Sequence, residues 1–455
     1  MHKIENKNAC IIGAGLVGSL WAVYLSKAGY KVSVFERRKD MRKQSISAGK
    51  SINLALSYRG WNALEKVGIS AQIKEIAIPM YGRTMHHKDC TSTYQPYGND
   101  NQAIYSVSRG ELNAKLMDIA EENLQTNIYF EQECTKVDTV KGIAYFRNVQ
   151  TGEETEFHSN LIFGADGAFS AARYSSMQKL DRFDFSQKYI ADGYREILLP
   201  ANEDGSPKLA TETLHIWPRE RFMLIALPNF DGSFTCTLFM PFENHTHCFS
   251  KLTSKEKVET FFKEVFPDFF EMMPHIAEAW EQHPLASLAI IRCFPWTHGK
   301  LALMGDAAHA TVPFFGQGMN AGFEDCSTLW DLMQEPNGSI EEVFSKYQEL
   351  RKPNTDAMQE LSLQNYIVMR DKVADPNFLL LQRVERRINK LFPDKYFPLY
   401  SMVSFTNIPY HTALEKGNEQ EQRVKEWIEK YRITQSHNDQ EIDTILGSIE
   451  ELNSL

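Results

Sequence analysis

Residues 8–12 form a short apolar run, residues 16–28 carry apolar side chains at helical spacing, and residues 31–36 alternate before ending in charge. The chain therefore opens as strand, helix and strand. Lys3 and Lys7 ahead of the stretch from Ala9 to Leu25 imitate a secretory leader. However, Gly13, Gly15 and Gly18 interrupt the apolar core such a leader needs. From Ile78 to Val107 strand-like pieces are broken by Gly, Pro, Asn and Asp, which predicts an inserted sheet. Ser108 and Glu111 have capping-box spacing, so a helix running to Glu122 carries Arg109 in its first turn. Residues 142–158 read as a hairpin turning at Thr151-Gly152, and residues 161–164 as an apolar strand ending in Ala165-Asp166-Gly167.

Between Tyr189 and Glu243 the runs 213–217, 222–227 and 234–240 are β-rich and joined by turn chemistry such as Asn229-Phe230-Asp231-Gly232, which predicts an antiparallel second domain. Residues 256–281 read as aromatic-rich helix and residues 301–304 as a buried strand before Gly305-Asp306. Helices are expected from there to the end, and the polar residues from Glu415 on read as a soluble tail. The segments group as a nucleotide-binding α/β domain in three parts (1–77, 108–180 and 287–350). A sheet domain takes 78–107 and 181–286, and a helical region covers 351–455.

Composition narrows the class. At 455 residues, 43% hydrophobic and 24% charged, the chain has the balance of a multi-domain globular enzyme. With 49 basic against 59 acidic residues it carries a formal charge of −10, and no basic run is long enough for nucleic acid. The seven cysteines are scattered without metal-ligand spacing, so they read as reduced thiols in a cytoplasmic protein and no metal site is expected. No stretch reaches the ~18 apolar residues of a membrane helix.

Two motifs carry chemistry. Gly13-Ala14-Gly15-Leu16-Val17-Gly18 follows a strand and opens a helix, where backbone amides can approach a pyrophosphate at the helix N-terminus. Glu36 lies eighteen residues beyond Gly18, near the ~20 expected of a ribose-binding carboxylate. Arg38 beside it either meets a phosphate or is solvated. The second motif is Leu303-Met304-Gly305-Asp306-Ala307-Ala308-His309, followed by Gly316-Gln317-Gly318-Met319-Asn320. A carboxylate after a strand can accept from polyol hydroxyls, and the glycine turn presents amides at another helix N-terminus. Alone, Asp306 reads as a helix cap and His309 as a packed histidine.

The ordered set of the N-terminal GxGxxG, the mid-chain Asp166-Gly167 and the Gly305-Asp306 motif resembles the FAD-dependent aromatic-ring hydroxylases of the para-hydroxybenzoate hydroxylase type. The resemblance implies a Rossmann-like FAD-binding domain with an inserted antiparallel substrate domain, bound FAD, NADPH as co-substrate and O2 as oxidant. It places cofactor contacts at Gly13, Gly15, Val17, Gly18, Glu36, Arg38, Ala55, Arg109, Cys134, Asp166, Asp306, Gly318, Met319 and Asn320. Asp166 would touch both FAD and NADPH, and no second GxGxxG is present.

A narrower resemblance, to the kynurenine-hydroxylating branch of that family, covers nearly the whole chain through Ser51–Ser57, His215–Pro218, Phe234–Glu243, Val312–Cys326, Asn365–Arg370 and Pro398–Val403. It implies L-kynurenine as substrate, held chiefly by its carboxylate at Arg83, Tyr97, Asn365 and Tyr400, with no side chain as an essential acid or base. An arginine fork matches a carboxylate, and phenol hydroxyls complete its shell without adding charge. Arg83 and Tyr97 are equidistant from Cys90, so a hairpin turning there sets them opposite each other. Membrane-bound relatives carry an apolar C-terminal segment that this chain lacks, and position 368 is Val where some relatives have an acidic residue. Two other readings stand beside this one: a flavin hydroxylase of another aromatic acid or phenol, and a catalytically silent flavoprotein that docks a partner.

Overall fold

The structure is a computed structural model that describes residues 7–43, 53–97, 102–122, 125–336, 338–368, 375–450 and 452. Ser51, Ile52, Met369 and Arg370 lie outside the described residues.

The opening strand, helix and strand are Asn8–Ile12, Leu16–Lys27 and Lys31–Phe35. They seed a six-stranded sheet in the spatial order 297–298, 301–303, 161–164, 8–12, 31–35 and 126–129. All neighbours are parallel except the 297–298 edge strand. Parallel strands need cover on both faces, and Ile11, Val34, Ile162 and Phe163 are all fully buried. Trp21 of the helix packs edge-on to Phe163, their ring centroids 5.2 Å apart, which fixes the helix against the sheet. The hairpin at 142–158 forms as expected, as strands Ile143–Asn148 and Glu154–His158 beside Gln132–Asp138.

The second large sheet has seven strands, ordered 286–294, 184–199, 234–241, 222–228, 213–219, 82–86 and 92–96. It is antiparallel except where Gly82–His86 joins Thr213–Arg219 in parallel. The inserted segment is divided: its hairpin joins this sheet, whereas Ile78–Met80 pairs with one side of Ile104–Ser108, and Asn53–Leu56 with the other, in a separate three-stranded sheet. Strand Ala286–Phe294 likewise crosses the expected 286/287 division, because its alternating pattern continues the large sheet against Asp184–Leu199.

The aromatic-rich segment is three short helices, Lys255–Val265, Pro267–Met272 and Ile276–Trp280. Pro267 can open a helix but cannot continue one. Its phenylalanines, including Phe262, Phe266 and Phe269, form with Trp217 the core behind the large sheet. Among the described residues after 340 the regular elements are helices, at Ile340–Ile367, Pro376–Leu391, Leu399–Phe405, Tyr410–Lys430 and Asp439–Gly447. The polar stretch from Glu415 is not a free tail. Val424, Trp427, Ile442 and Leu446 are buried against Val384 and Ile388.

Candidate active site

The glycine motif shapes the nucleotide end. Gly13 has φ +100, and a Cβ there would lie 2.6 Å from the Ala165 carbonyl oxygen, so only glycine fits. A Cβ on Gly18 would lie 2.0 Å from the Gly13 carbonyl oxygen, which is the close approach of helix to strand. At Gly15, the N-cap of the helix, a Cβ would meet nothing within 4 Å, and no side chain caps the helix. The space beside Gly15 is open. Val17 packs instead against Gly305 and Gly322, joining the two glycine motifs.

Glu36 closes this end. Its carboxylate is 7% exposed and accepts from the Ala14 amide at 2.9 Å and from Arg38 through its amide at 2.9 Å and Nε at 2.8 Å. Burial works against the charged form, but the Arg38 guanidinium and the two amides outweigh it and hold the carboxyl below its usual range. The Arg38 side chain is 64% exposed at the mouth. A cavity of about 420 Å³ opens beside Glu36, lined also by Ala14, Met41, Asn113, Phe130 and Gln150.

Asp166 lies half-buried after its strand, its Oδ2 accepting from the Ala172 amide at 3.1 Å. Its Oδ1 is buried with no hydrogen-bond partner among the described residues, and burial pushes the carboxyl up from its ordinary value. Cys134 sits on strand Gln132–Asp138 as a buried thiol. Burial first, then the nearby Asp166 carboxylate, raises its pKa. Arg109 is the first residue of helix Arg109–Glu122 and exposed, with the Glu111 amide donating to Ser108 Oγ at 3.4 Å. Its charge reaches Tyr194 and Glu196 of the large sheet.

Asp306 is exposed at the start of the helix Asp306–His309, whose N-cap is Gly305 rather than Asp306 itself. His309 is a packed residue: it is 3% exposed and its Nε2 meets Asp325 Oδ2 at 2.6 Å. Asp325 also accepts from the Gly305 amide at 2.9 Å and from Arg351 Nε at 2.7 Å, which holds the motif from beneath. Beyond it Gly316 adopts φ +68 and Gly318 and Met319 open helix Gly318–Gln334. Asn320 is fully buried, accepting from the Ser57 amide and donating to the Ala55 and Gly316 carbonyls, each at 2.9 Å. Its side chain therefore clamps strand Asn53–Leu56 to the glycine turn.

Next to that turn lies an aromatic cluster. Tyr97 and Tyr400 stack with centroids 5.2 Å apart, Tyr400 stacks on Phe315 at 5.7 Å, and Phe405 packs edge-on to Tyr400 at 6.1 Å. The charge of Arg83 reaches both tyrosine hydroxyls. Arg83 Nε donates to Gln95 Oε1 at 3.1 Å, and its two terminal nitrogens make no hydrogen bond or ion pair among the described residues. The Tyr97 hydroxyl is buried beside that of Tyr400 without forming a hydrogen bond of good geometry. Ala55, Tyr97, Ile225 and Phe405 pack around Met80, Ile104 and Leu227, so a residue of the expected cofactor set and the tyrosine cluster share one apolar wall. Asn365 Nδ2 donates to the Phe314 carbonyl at 2.6 Å.

A family profile described as FAD binding domain matches residues 6–362. The kynurenine 3-monooxygenase of Flavobacterium psychrophilum is 45% identical over 440 residues, which is 96% of this chain and 97% of that protein. The chain belongs to the kynurenine 3-monooxygenase family. Its relatives extend to Dictyostelium discoideum, 40% identical over 98% of both chains, and to Sus scrofa, 39% identical over 90% of this chain and 86% of that protein. In fold the chain is similar to 2-methyl-3-hydroxypyridine-5-carboxylic acid oxygenase. That match has a TM-score of 0.67 at 20% identity, over 83% of this chain and 96% of that one.

Membership brings FAD, and the residues of this family member fit it. Open space at Gly15 admits a pyrophosphate to the helix N-terminus. Glu36 is ionised beside a cavity of nucleotide size, and the unpartnered Asp166 Oδ1 awaits a donor. Asn113 and Gln95 were not singled out in the sequence. Asn113 Nδ2 donates to the Ala14 carbonyl at 3.0 Å, four residues along the helix face from Arg109. Gln95 faces Arg83 across the hairpin.

The hairpin register also differs from expectation. Arg83 pairs with Gln95 rather than Tyr97, because the turn centres on Asp89, while Cys90 takes φ +63. Tyr97 lies opposite Tyr81, donating its amide to the Tyr81 carbonyl at 3.0 Å. A slip of two residues preserves the face, so Tyr97 is a diagonal neighbour of Arg83.

Proposed function

We propose that the protein hydroxylates L-kynurenine on the ring carbon next to the amino-bearing carbon, consuming NADPH and O2. The observation that carries this reading is Arg83, held at Nε by Gln95, with two uncommitted terminal nitrogens and a charge that reaches the Tyr97 and Tyr400 hydroxyls. That is a carboxylate receptor walled by aromatic rings, in a chain whose relatives are kynurenine 3-monooxygenases. Overall, one oxygen atom of O2 enters a ring C–H bond to make C–OH. The other leaves as water, with two electrons from NADPH and one proton. Bound FAD supplies the electron relay and the activation of O2.

The chain's own residues position and exclude. Arg83 and the two tyrosines fix the substrate's carboxylate end, and Asn365 buttresses the Phe314-Phe315 wall. Phe315, Phe405 and Ala55 exclude water between the tyrosine cluster and the glycine turn, where the oxygen transfer must be kept dry. Gly13, Gly15, Val17 and Gly18 with Glu36, Arg38, Ala55, Arg109, Cys134, Asp166, Asp306, Gly318, Met319 and Asn320 hold the cofactor in this reading. An anilinic ring is electron-rich enough to attack the activated oxygen without a side-chain base. Seven free cysteines suit a reducing cytoplasm. No described helix is long and apolar enough to cross a membrane.

The test is NADPH oxidation with and without L-kynurenine, with the product identified by mass. Kynurenine should accelerate NADPH consumption and gain one oxygen atom. Stimulation by another aromatic acid and none by kynurenine would overturn the substrate.

A further inference from the structure

We infer that Arg59 is a positioning residue that locks the helix bearing Tyr400 to the strand and turn at the flavin edge. This rests on the reading of the site above. Arg59 is 1% exposed, on a helix, Tyr58–Lys66, that no cofactor motif includes. Each part of its guanidinium is committed. Nε donates to the Val403 carbonyl at 3.1 Å and Nη2 donates to the Ile408 carbonyl. Nη1 pairs with Glu324 at 2.9 Å, and the plane lies over the Tyr410 ring at 3.9 Å.

Those carbonyls bracket the end of helix Leu399–Phe405, the helix that presents Tyr400 and Phe405. A helix end leaves carbonyls without intrahelical donors, and here a buried cation satisfies that of Val403. The other side of the contact leads to the cofactor turn. The Tyr410 hydroxyl donates to Gln317 Oε1 at 2.9 Å, where Ser57 Oγ also donates at 3.4 Å. Gln317 is the N-cap of the helix that starts with Gly318, and the Ser57 amide is held by Asn320. Arg59 thus joins the tyrosine that faces the substrate to the turn that faces the flavin, through one side chain without reaching either ligand. A displacement of about 1 Å between reacting groups can cost on the order of a hundredfold in rate. The device sets how tightly hydroxylation is coupled to NADPH use.

Arg59→Met should remain foldable, because Glu324 keeps its second partner, Arg351, at 2.6 Å. With FAD content near wild type, its KM for kynurenine should rise by about tenfold or more. A larger share of the NADPH consumed should appear as hydrogen peroxide rather than hydroxylated product. Amides of residues 399–408 should exchange with deuterium faster, while those of Asn8–Ile12 stay protected. Arg59→Lys, which can reach one carbonyl at a time, should fall between. Unchanged exchange at 399–408 together with unchanged KM and peroxide yield would overturn the inference. If Arg59→Met does not fold, Tyr410→Phe decides, since it removes only the hydroxyl link to Gln317: raised peroxide yield supports the lock and wild-type coupling overturns it. The exchange measurement needs no substrate, so it stands or falls separately from the identity of the substrate.

Discussion

Tyr97 and Tyr400 stack face to face, 17° from parallel, although one leaves a hairpin of the seven-stranded sheet and the other belongs to the C-terminal helices. Their hydroxyls both lie in the field of Arg83. Burial raises both phenol pKa values, so each remains a neutral donor near pH 7. In the proposed reading the site draws on separate parts of the chain and is complete only when the helical region is docked. Ala55 in the shared wall ties that docking to the cofactor turn.

Glu36→Gln should weaken FAD retention. The substitution removes the charge that Arg38 pairs with and gives the Ala14 N–H a weaker acceptor to donate to, a loss of about 1–3 kcal/mol. The folded-state pKa of Glu36 lies below the ordinary 4.5, so its contribution is full above that value and is lost as pH falls through the lower one. Wild type should therefore release FAD more steeply than Glu36→Gln on acidification below about pH 4.5. Parallel release curves, followed by flavin fluorescence, would show Glu36 to be only a strand-end charge.

Local signals read best. The glycines between Ile12 and Leu16 and the carboxylate at Glu36 are short-range features, and the strand–helix–strand unit formed where the apolar pattern put it. Pairing partners were harder. Ile78–Met80 looks like its neighbours in sequence but lies in another sheet, because strand pairing is decided by which face finds a partner, not by composition. The register of Arg83 and Tyr97 slipped by two because turn geometry sets it, and the turn centres on Asp89. The stretch after Glu415 looked solvated on composition, yet its few apolar residues, Val424 and Trp427 then Ile442 and Leu446, recur at helical spacing and are buried. Arg59 and Gln95 gave no signal at all, since their roles depend on contacts distant in sequence or across a hairpin.

Glu385 predicts a stability that depends on pH. It accepts from the Tyr396 hydroxyl at 2.8 Å, and burial, with some repulsion from Glu421, lifts its pKa from 4.5 to about 7. The folded state therefore holds the proton more tightly than the unfolded chain. The carboxyl costs nothing below pH 4.5 and works against folding increasingly as pH rises to about 7, by up to roughly 3 kcal/mol. Glu385→Gln should raise the melting temperature at pH 8 and leave it nearly unchanged at pH 4.5. Equal shifts at both pH values would mean that Glu385 is ionised in the folded protein at no cost.

The ranking of the carboxylate receptor is the most direct test of the site. Arg83 is half-buried with its terminal nitrogens uncommitted, so a substrate carboxylate there would form a partly desolvated pair. Removing one partner of such a pair costs about 2–5 kcal/mol, largely by stranding the other charge, and 1.4 kcal/mol is tenfold. Arg83→Ala should weaken kynurenine binding by about thirtyfold or more, read by titration of flavin absorbance. FAD content should not change, because Arg83 lies outside each cofactor motif and its hydrogen-bond partner is Gln95. Tyr97→Phe and Tyr400→Phe each remove a neutral donor to a charged group, worth about 1.5–3 kcal/mol, while keeping the stacked rings. Gln95→Leu should act more weakly still, by freeing the guanidinium to wander without removing its charge. The order Arg83, then the tyrosines, then Gln95 follows from charge first and orientation second. Normal binding in Arg83→Ala would move the carboxylate elsewhere and remove the main support for an amino-acid substrate.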